Sequence, residues 1–171
     1  MPFVTSYNAG LGAPQIAPAT VDDRAMYPIG TIIKGYDATQ GEAEFIYLPG
    51  VAAVVLGDVV VYDLLPGAAT IVRALSGTHL NSGRPVAVAM GAVVALKFGW
   101  FQISGVAVVS VLAGFVAGTK VWLSATAGNV ANAAIAGCQL IGAIGSSAIG
   151  TPAANKAYVT ICRPSVQTQI T

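Results

Sequence analysis

The sequence predicts an all-β fold, a small β-barrel or β-sandwich with an extended N-terminal arm. Short runs rich in β-branched and aromatic residues recur along the 171-residue chain, each bounded by Gly, Asn or Pro. The 20 Gly and 9 Pro suit tight turns between short elements better than long helices. A hydrophobic share of 55% with only 9% charged residues excludes a disordered tail, a solvated coiled coil or a basic nucleic-acid arm.

Three segments follow from the distribution of turn residues. Residues 1–28 carry repeated Pro and Gly without sustained apolar periodicity, which predicts the extended arm. Residues 29–164 are expected to form a β-rich oligomerising domain, and residues 165–171 a polar C-terminal tail.

Within the domain, nine short segments have strand character. They are 31–34, 44–48, 57–63, 69–73, 85–90, 98–103, 106–112, 119–124 and 158–162. The Ala-rich stretch 129–136 allows a short helix, although a strand pair around 127–129 fits equally well. No fixed-period repeat is present in the sequence, so a solenoid or propeller is not predicted.

The uncharged stretch 98–119 is long enough to span a bilayer as a helix. Its four glycines and many β-branched residues favour strands over a helix, and breaks at Gly105 and Gly114 divide it into strand-length pieces. We therefore expect no membrane partner. A membrane-associated or small-molecule-binding β-barrel stays open as an alternative.

The charged residues are sorted along the chain. All seven acidic residues lie in the first 63 positions, where Arg24 and Lys34 are the only basic ones, giving a formal charge of −5. The remaining positions carry six basic residues and no acidic one, giving +6 and the net charge of +1. Either the two parts fold together and the signs interleave, or acidic and basic faces meet between subunits.

No catalytic, cofactor-binding or metal-binding residue is predicted, and we expect no cofactor and no enzyme activity. Cys138 and Cys162 lack metal-ligand spacing and are interpreted as buried apolar thiols, with a disulfide between them left open. His79 is interpreted as a polar loop residue. Glu42 and Glu44 could share one strand face at spacing two, but solvated strand residues are the simpler interpretation.

Two further patterns also lack a chemical signature. The Gly-rich segment 142–150 has no Gly-Lys-Ser/Thr end, so it does not indicate a phosphate-binding loop. Trp100, Phe101 and Trp122 are better placed in a core or an interface than against bases, because no basic cluster accompanies them. Nucleic acid is therefore not an expected partner.

The order of elements resembles the head decoration (capsid cement) proteins of tailed bacteriophages. The resemblance covers roughly residues 27–164 and consists of turn-and-strand patterns. Its segments are YPIGTIIKGY (27–36), EAEFIYLPGVA (42–52), GDVVVYD (57–63), RPVAVAM (84–90), FGWFQISG (98–105), GTKVWLSATAG (118–128) and VTICRP (159–164).

This resemblance implies a structural virion protein with no catalytic residue, which binds the outer surface of a capsid and stabilises the expanded head. The implied partners are the major capsid protein and the chain itself, as a homotrimer, with the arm on the shell. The implied location is the capsid exterior of the virion, after assembly in the host cytoplasm. The alternative is a fibre or spike attachment module, which predicts an exposed aromatic or polar carbohydrate cleft.

Overall fold

The computed structural model describes residues 4–5, 19–37 and 39–168. Over these residues the protein is all-β, as predicted, and its twelve strands pair antiparallel in one sheet that curls into a half barrel. The strands are β1 (Val4–Thr5), β2 (Val21–Asp22), β3 (Ile32–Asp37), β4 (Gly41–Pro49), β5 (Val59–Leu65), β6 (Ala68–Arg73), β7 (Val86–Ala89), β8 (Phe98–Ser110), β9 (Lys120–Leu123), β10 (Val130–Ala131), β11 (Gln139–Gly145) and β12 (Lys156–Val166).

The weakly predicted helix over 129–136 does not form. Val130 and Ala131 instead make β10, which pairs with Leu123 and Trp122 of β9. Gly128 stands in the connecting turn with a φ of +81°, a left-handed conformation that glycine adopts without a steric penalty. The alternative prediction of a strand pair at this point is confirmed. The sequence reading missed β11, whose glycines at both Gly142 and Gly145 resemble a loop.

Over the described residues the core consists of three apolar clusters, because the central strands are buried on both faces. In β5, Val59 and Val61 belong to the cluster inside the curled sheet, which we call the barrel cluster, while Val60 and Tyr62 belong to a second cluster on the opposite face. Alternate side chains of a strand point to opposite faces, so a fully apolar strand serves two layers. The third cluster is aromatic and packs Phe45, Tyr47 and Trp100 together.

The longest strand, β8, was predicted as two strands divided at Gly105, and that prediction is wrong. β8 runs unbroken from Phe98 to Ser110 and pairs with β2, β4, β7 and β12. Its uncharged stretch is therefore the centre of the sheet. None of the described segments forms a helix long and apolar enough to cross a membrane.

Strand β8 continues through Gly105 and carries a β-bulge just before it, where Gln102 and Ser104 pair with the consecutive residues Phe45 and Glu44 of β4. Gln102 lies opposite Val88, a member of the barrel cluster, so Gln102 is on the face of β8 that this cluster covers. Past Gly105 the barrel cluster is reached by Val109, an odd number of positions from Gln102, so the strand has gained one residue between them. Gly105 has a φ of +97°, and a Cβ there would lie 2.4 Å from the carbonyl oxygen of Glu42.

Part of the predicted arm lies against the domain. The Tyr47 hydroxyl donates a hydrogen bond of 2.6 Å to Asp22, and it accepts one of 3.1 Å from the backbone N–H of Met26. Burial and the carboxylate of Asp22 raise the pKa of Tyr47 to about 12. Arm residues 1–3 and 6–18 lie outside the described residues. At the other end, β12 continues through Val166, which is buried.

Candidate functional site

The charges of the two halves of the sequence meet inside one chain. Among the described residues there are five ion pairs, and four of them join an acidic residue of the first 63 positions to a basic residue of the later part. These four are Asp58 with Arg73, Glu44 with Arg163, Asp63 with Arg84, and Asp23 with Lys97. The prediction that the signs interleave on folding is confirmed.

The most buried of these charges is Asp58, only 1% exposed. Its carboxylate accepts hydrogen bonds from Arg73 Nε at 2.8 Å and from Ser110 Oγ at 3.1 Å. Lys156 Nζ in turn donates to Ser110 Oγ at 2.6 Å, and burial lowers the pKa of this lysine while the Asp58 charge opposes that shift. The network ties together β6, β8, β12 and the turn before β5. Its polar groups already have internal partners, so it is structural.

His79 lies in a loop, as predicted, but it is buried rather than exposed to water. Burial lowers the pKa of His79, and the nearby Arg84 cation lowers it further, while Asp63 acts in the opposite direction. Burial and the Arg84 cation thus both favour the neutral imidazole.

The two cysteines have different environments. Cys138 is buried, as predicted, and its thiol donates to the carbonyl oxygen of Ser76 at 3.3 Å, while burial raises its pKa. Cys162 is exposed, so the prediction of a second buried thiol is wrong. It lies opposite Ser104 on the outer face of the sheet, where apolar sequence neighbours do not imply burial because alternate residues face opposite ways. Both thiols are free.

An open cleft of about 340 Å³ lies on this outer face. Antiparallel pairing places Lys34 opposite Glu44, Glu44 opposite Ser104, and Ser104 opposite Cys162. The four side chains thus form one row across β3, β4, β8 and β12, and we call the depression the four-strand cleft. Its remaining lining residues are Glu42, Ala43 and Arg163. The Glu42 and Glu44 positions share this face, as their spacing predicted.

Some charged side chains of the four-strand cleft are paired with each other, whereas Glu42 is not. Glu44 is largely buried and accepts Arg163 Nε at 3.0 Å, while Lys34 Nζ lies 3.7 Å from its other oxygen. This hydrogen bond raises the pKa of the Arg163 guanidinium. Arg163 is itself in a left-handed conformation, with a φ of +42°. Glu42 is exposed and has no side-chain partner among the described residues. With two cations and two carboxylates, the cleft carries no net charge.

A second surface is apolar and lies on two adjoining loops. The β4–β5 and β7–β8 loops are joined by hydrogen bonds from Gly50 N to the carbonyl oxygen of Lys97 at 2.7 Å and from Val51 N to that of Val93 at 3.0 Å. Together these loops expose four large apolar side chains, which we call the apolar loop patch: Val55, Leu56, Val94 and Leu96.

Leu96 is the extreme case within the apolar loop patch. Its side chain is 90% exposed, and its φ is +68°, in the left-handed region that leucine rarely adopts. Sequence reasoning missed it, because a leucine between two predicted strands gives no signal of a strained turn. The turn between Val94 and Lys97 contains no Gly or Asn, so a residue that disfavours the left-handed conformation has to adopt it.

The prediction that no metal ligand set exists stays a prediction for the whole chain. Within 4–5, 19–37 and 39–168, no group of three or more His, Cys, Asp or Glu side chains could hold a metal ion. Searches of protein-family models, curated proteins and solved structures found no match to this chain.

Proposed function

We propose that this chain is a structural virion protein that binds the outer surface of a bacteriophage capsid and stabilises the expanded head. The observation that carries the proposal is the apolar loop patch, with Leu96 at its most exposed point. A leucine in the left-handed conformation costs about 1–2 kcal/mol. An exposed side chain recovers none of that cost within the chain, whereas burial against a partner does.

The resemblance to capsid cement proteins supports this assignment and fits the position of the patch. The resembling segments contain β7 and β9 and most of β3, β4, β5 and β8. Residues 91–97, which carry Val94 and Leu96, belong to none of these segments. A shared scaffold with a variable loop is the usual way in which a binding surface is adapted to its own partner.

The internal ion pairs also limit the kind of contact that the chain can make with a capsid. The chain has a formal net charge of only +1, and most acidic side chains already have a basic partner, so little charge is left to attract a capsid from a distance. Apolar and shape-based contacts remain. A standard interface covers about 800 Å² per partner, roughly a tenth of this chain's 8356 Å² surface. A trimer interface and a capsid interface therefore both fit on one subunit.

The proposal is tested with expanded heads of the phage that encodes the chain, prepared without it. We expect the purified protein to be a trimer in light scattering, with three times the 17.2 kDa chain mass, and to co-sediment with these heads. Bound heads should release their DNA at a higher temperature than bare ones. Unexpanded heads provide the matched control and should bind less protein.

Two results would contradict the proposal. One is a protein that stays in solution only with detergent, which favours the membrane-associated alternative. The other is a well-folded protein that does not co-sediment with expanded heads. A variant lacking residues 1–18 tests the arm separately, because we expect it to keep its fold and lose head binding.

A further inference from the structure

We propose that the four-strand cleft is a binding site for a neutral, hydroxyl-rich ligand, namely a sugar unit of a glycan. The site is distinct from the apolar loop patch and is the kind of carbohydrate cleft that the fibre or spike alternative predicts, so sugar binding and head binding are measured separately. The inference rests on the side chains that the pairing of β3, β4, β8 and β12 brings together.

The cleft offers both donors and acceptors that have no partner in the described part of the chain. Arg163 uses Nε for Glu44, which leaves its two terminal nitrogen atoms free to donate. The Ser104 hydroxyl can donate or accept, and the Glu42 carboxylate can only accept. A sugar hydroxyl also donates and accepts, so one ligand type can pair with all three.

The charge of the cleft argues against an anion. Lys34 and Arg163 are offset by Glu42 and Glu44, and an incoming phosphate or carboxylate would meet two carboxylates already there. A neutral ligand gains hydrogen bonds to charged groups without that repulsion. Hydrogen bonds of this kind are also the stronger class, because one partner is ionised.

An aromatic side chain borders the polar groups. Tyr36 lies directly opposite Glu42 in the β3–β4 register, so the two side chains share a face, and Tyr36 is 54% exposed. Its ring supplies an apolar surface for the C–H face of a sugar. The volume of about 340 Å³ is at the lower end of the roughly 300–1,000 Å³ of ligand pockets. One small unit fits, rather than a long buried chain.

The backbone of β12 is distorted in a way that builds the cleft. The register of β11 and β12 shifts between Ile141 and Ala143, which marks a bulge, and Arg163 has positive φ there. As a result the successive residues Cys162 and Arg163 are both exposed and both line the cleft, where regular pairing would send them to opposite faces. Bulges commonly re-aim a side chain towards a site in this manner.

The test uses the full chain and saturation-transfer NMR with glucose, galactose, mannose and N-acetylglucosamine as separate probes. We expect at least one sugar to bind with a dissociation constant of about 1 mM. Glu42→Gln and Tyr36→Ala should each weaken binding about tenfold. Both positions are exposed, so both variants should unfold at the wild-type urea concentration. Asp23→Asn, an exposed acid outside the cleft, is the control and should bind the sugar as the wild type does.

Three results would overturn the inference. The first is the absence of a signal from all four sugars at about 50 mM, some fiftyfold above the expected dissociation constant. The second is binding that neither Glu42→Gln nor Tyr36→Ala weakens, because the site would then lie elsewhere. The third is tighter binding of inorganic phosphate than of any sugar. Head co-sedimentation of Glu42→Gln is a separate readout, and we expect it to be unchanged.

Discussion

Replacing Leu96 by glycine is expected to weaken head binding without weakening the fold. Glycine adopts the φ of +68° freely, so the variant gains the roughly 1–2 kcal/mol that leucine loses there. The greater freedom of glycine in the unfolded chain removes about 0.5–1 kcal/mol of that gain. Because the side chain is 90% exposed, almost no packing is lost. The free energy of unfolding should therefore stay constant or rise by up to about 1.5 kcal/mol.

Head binding should change in the opposite direction. Burying a leucine side chain contributes about 1.5–3 kcal/mol, and each 1.4 kcal/mol is a factor of ten in affinity. The Leu96→Gly variant should then bind expanded heads about 10- to 100-fold more weakly. Urea unfolding measures the first quantity, and co-sedimentation over a range of protein concentrations measures the second.

The control for this experiment is Leu65→Gly, at an exposed leucine that ends β5. It should lose about 0.5–1 kcal/mol of stability, because glycine weakens a strand, and it should keep its affinity for heads. The reasoning about Leu96 fails if Leu96→Gly binds heads within about twofold of the wild type, or if it is clearly less stable than the wild type.

Three further predictions concern the fold. Gly105→Ala should lower the free energy of unfolding by more than about 3 kcal/mol, because its Cβ would lie 2.4 Å from the Glu42 carbonyl oxygen at a positive φ. Urea unfolding measures this loss, and a variant as stable as the wild type would contradict the close contact. Arg73→Ala should cost about 3–5 kcal/mol by leaving the buried Asp58 carboxylate without its cation, and a loss below about 1 kcal/mol in the same assay would contradict the network. Burial lowers the pKa of His79, so below about pH 6.5 the unfolded chain takes up a proton that the folded chain does not. The free energy of unfolding therefore decreases as the pH is lowered. His79→Gln should flatten that fall in urea midpoints between pH 5 and 8, and identical pH profiles would refute it.

The fold class was predictable because it depends on local composition. Apolar β-branched runs between turn residues identify strands wherever the chain pairs regularly, as in β5 and β7. The predictions failed where a glycine lies inside a paired strand instead of at its end. Gly105 was interpreted as a strand end, although it allows β8 to continue past a close contact with β4. A sequence cannot distinguish these two uses, because both need the same residue type.

The candidate surfaces were less predictable, because they depend on register. The spacing of Glu42 and Glu44 showed that they share a face, but Ser104 and Cys162 join them only through long-range strand pairing. Exposure of Cys162 likewise follows from its place on β12 and not from its apolar neighbours. The segregation of acidic and basic residues was visible in the sequence. The ion pairs that join the two parts could be identified only from the folded chain.

Strand β4 also separates the two proposed surfaces. The four-strand cleft contains Glu42 and Glu44, near the start of β4, whereas the apolar loop patch lies on the loop that begins at Gly50, after its end. At about 3.3 Å per residue, the strand places these points roughly 20 Å apart. A subunit bound to a capsid through Leu96 therefore does not need to cover the cleft. Since neither surface borrows residues from the other, Leu96→Gly and Glu42→Gln should affect separate activities, and each variant is the control for the other.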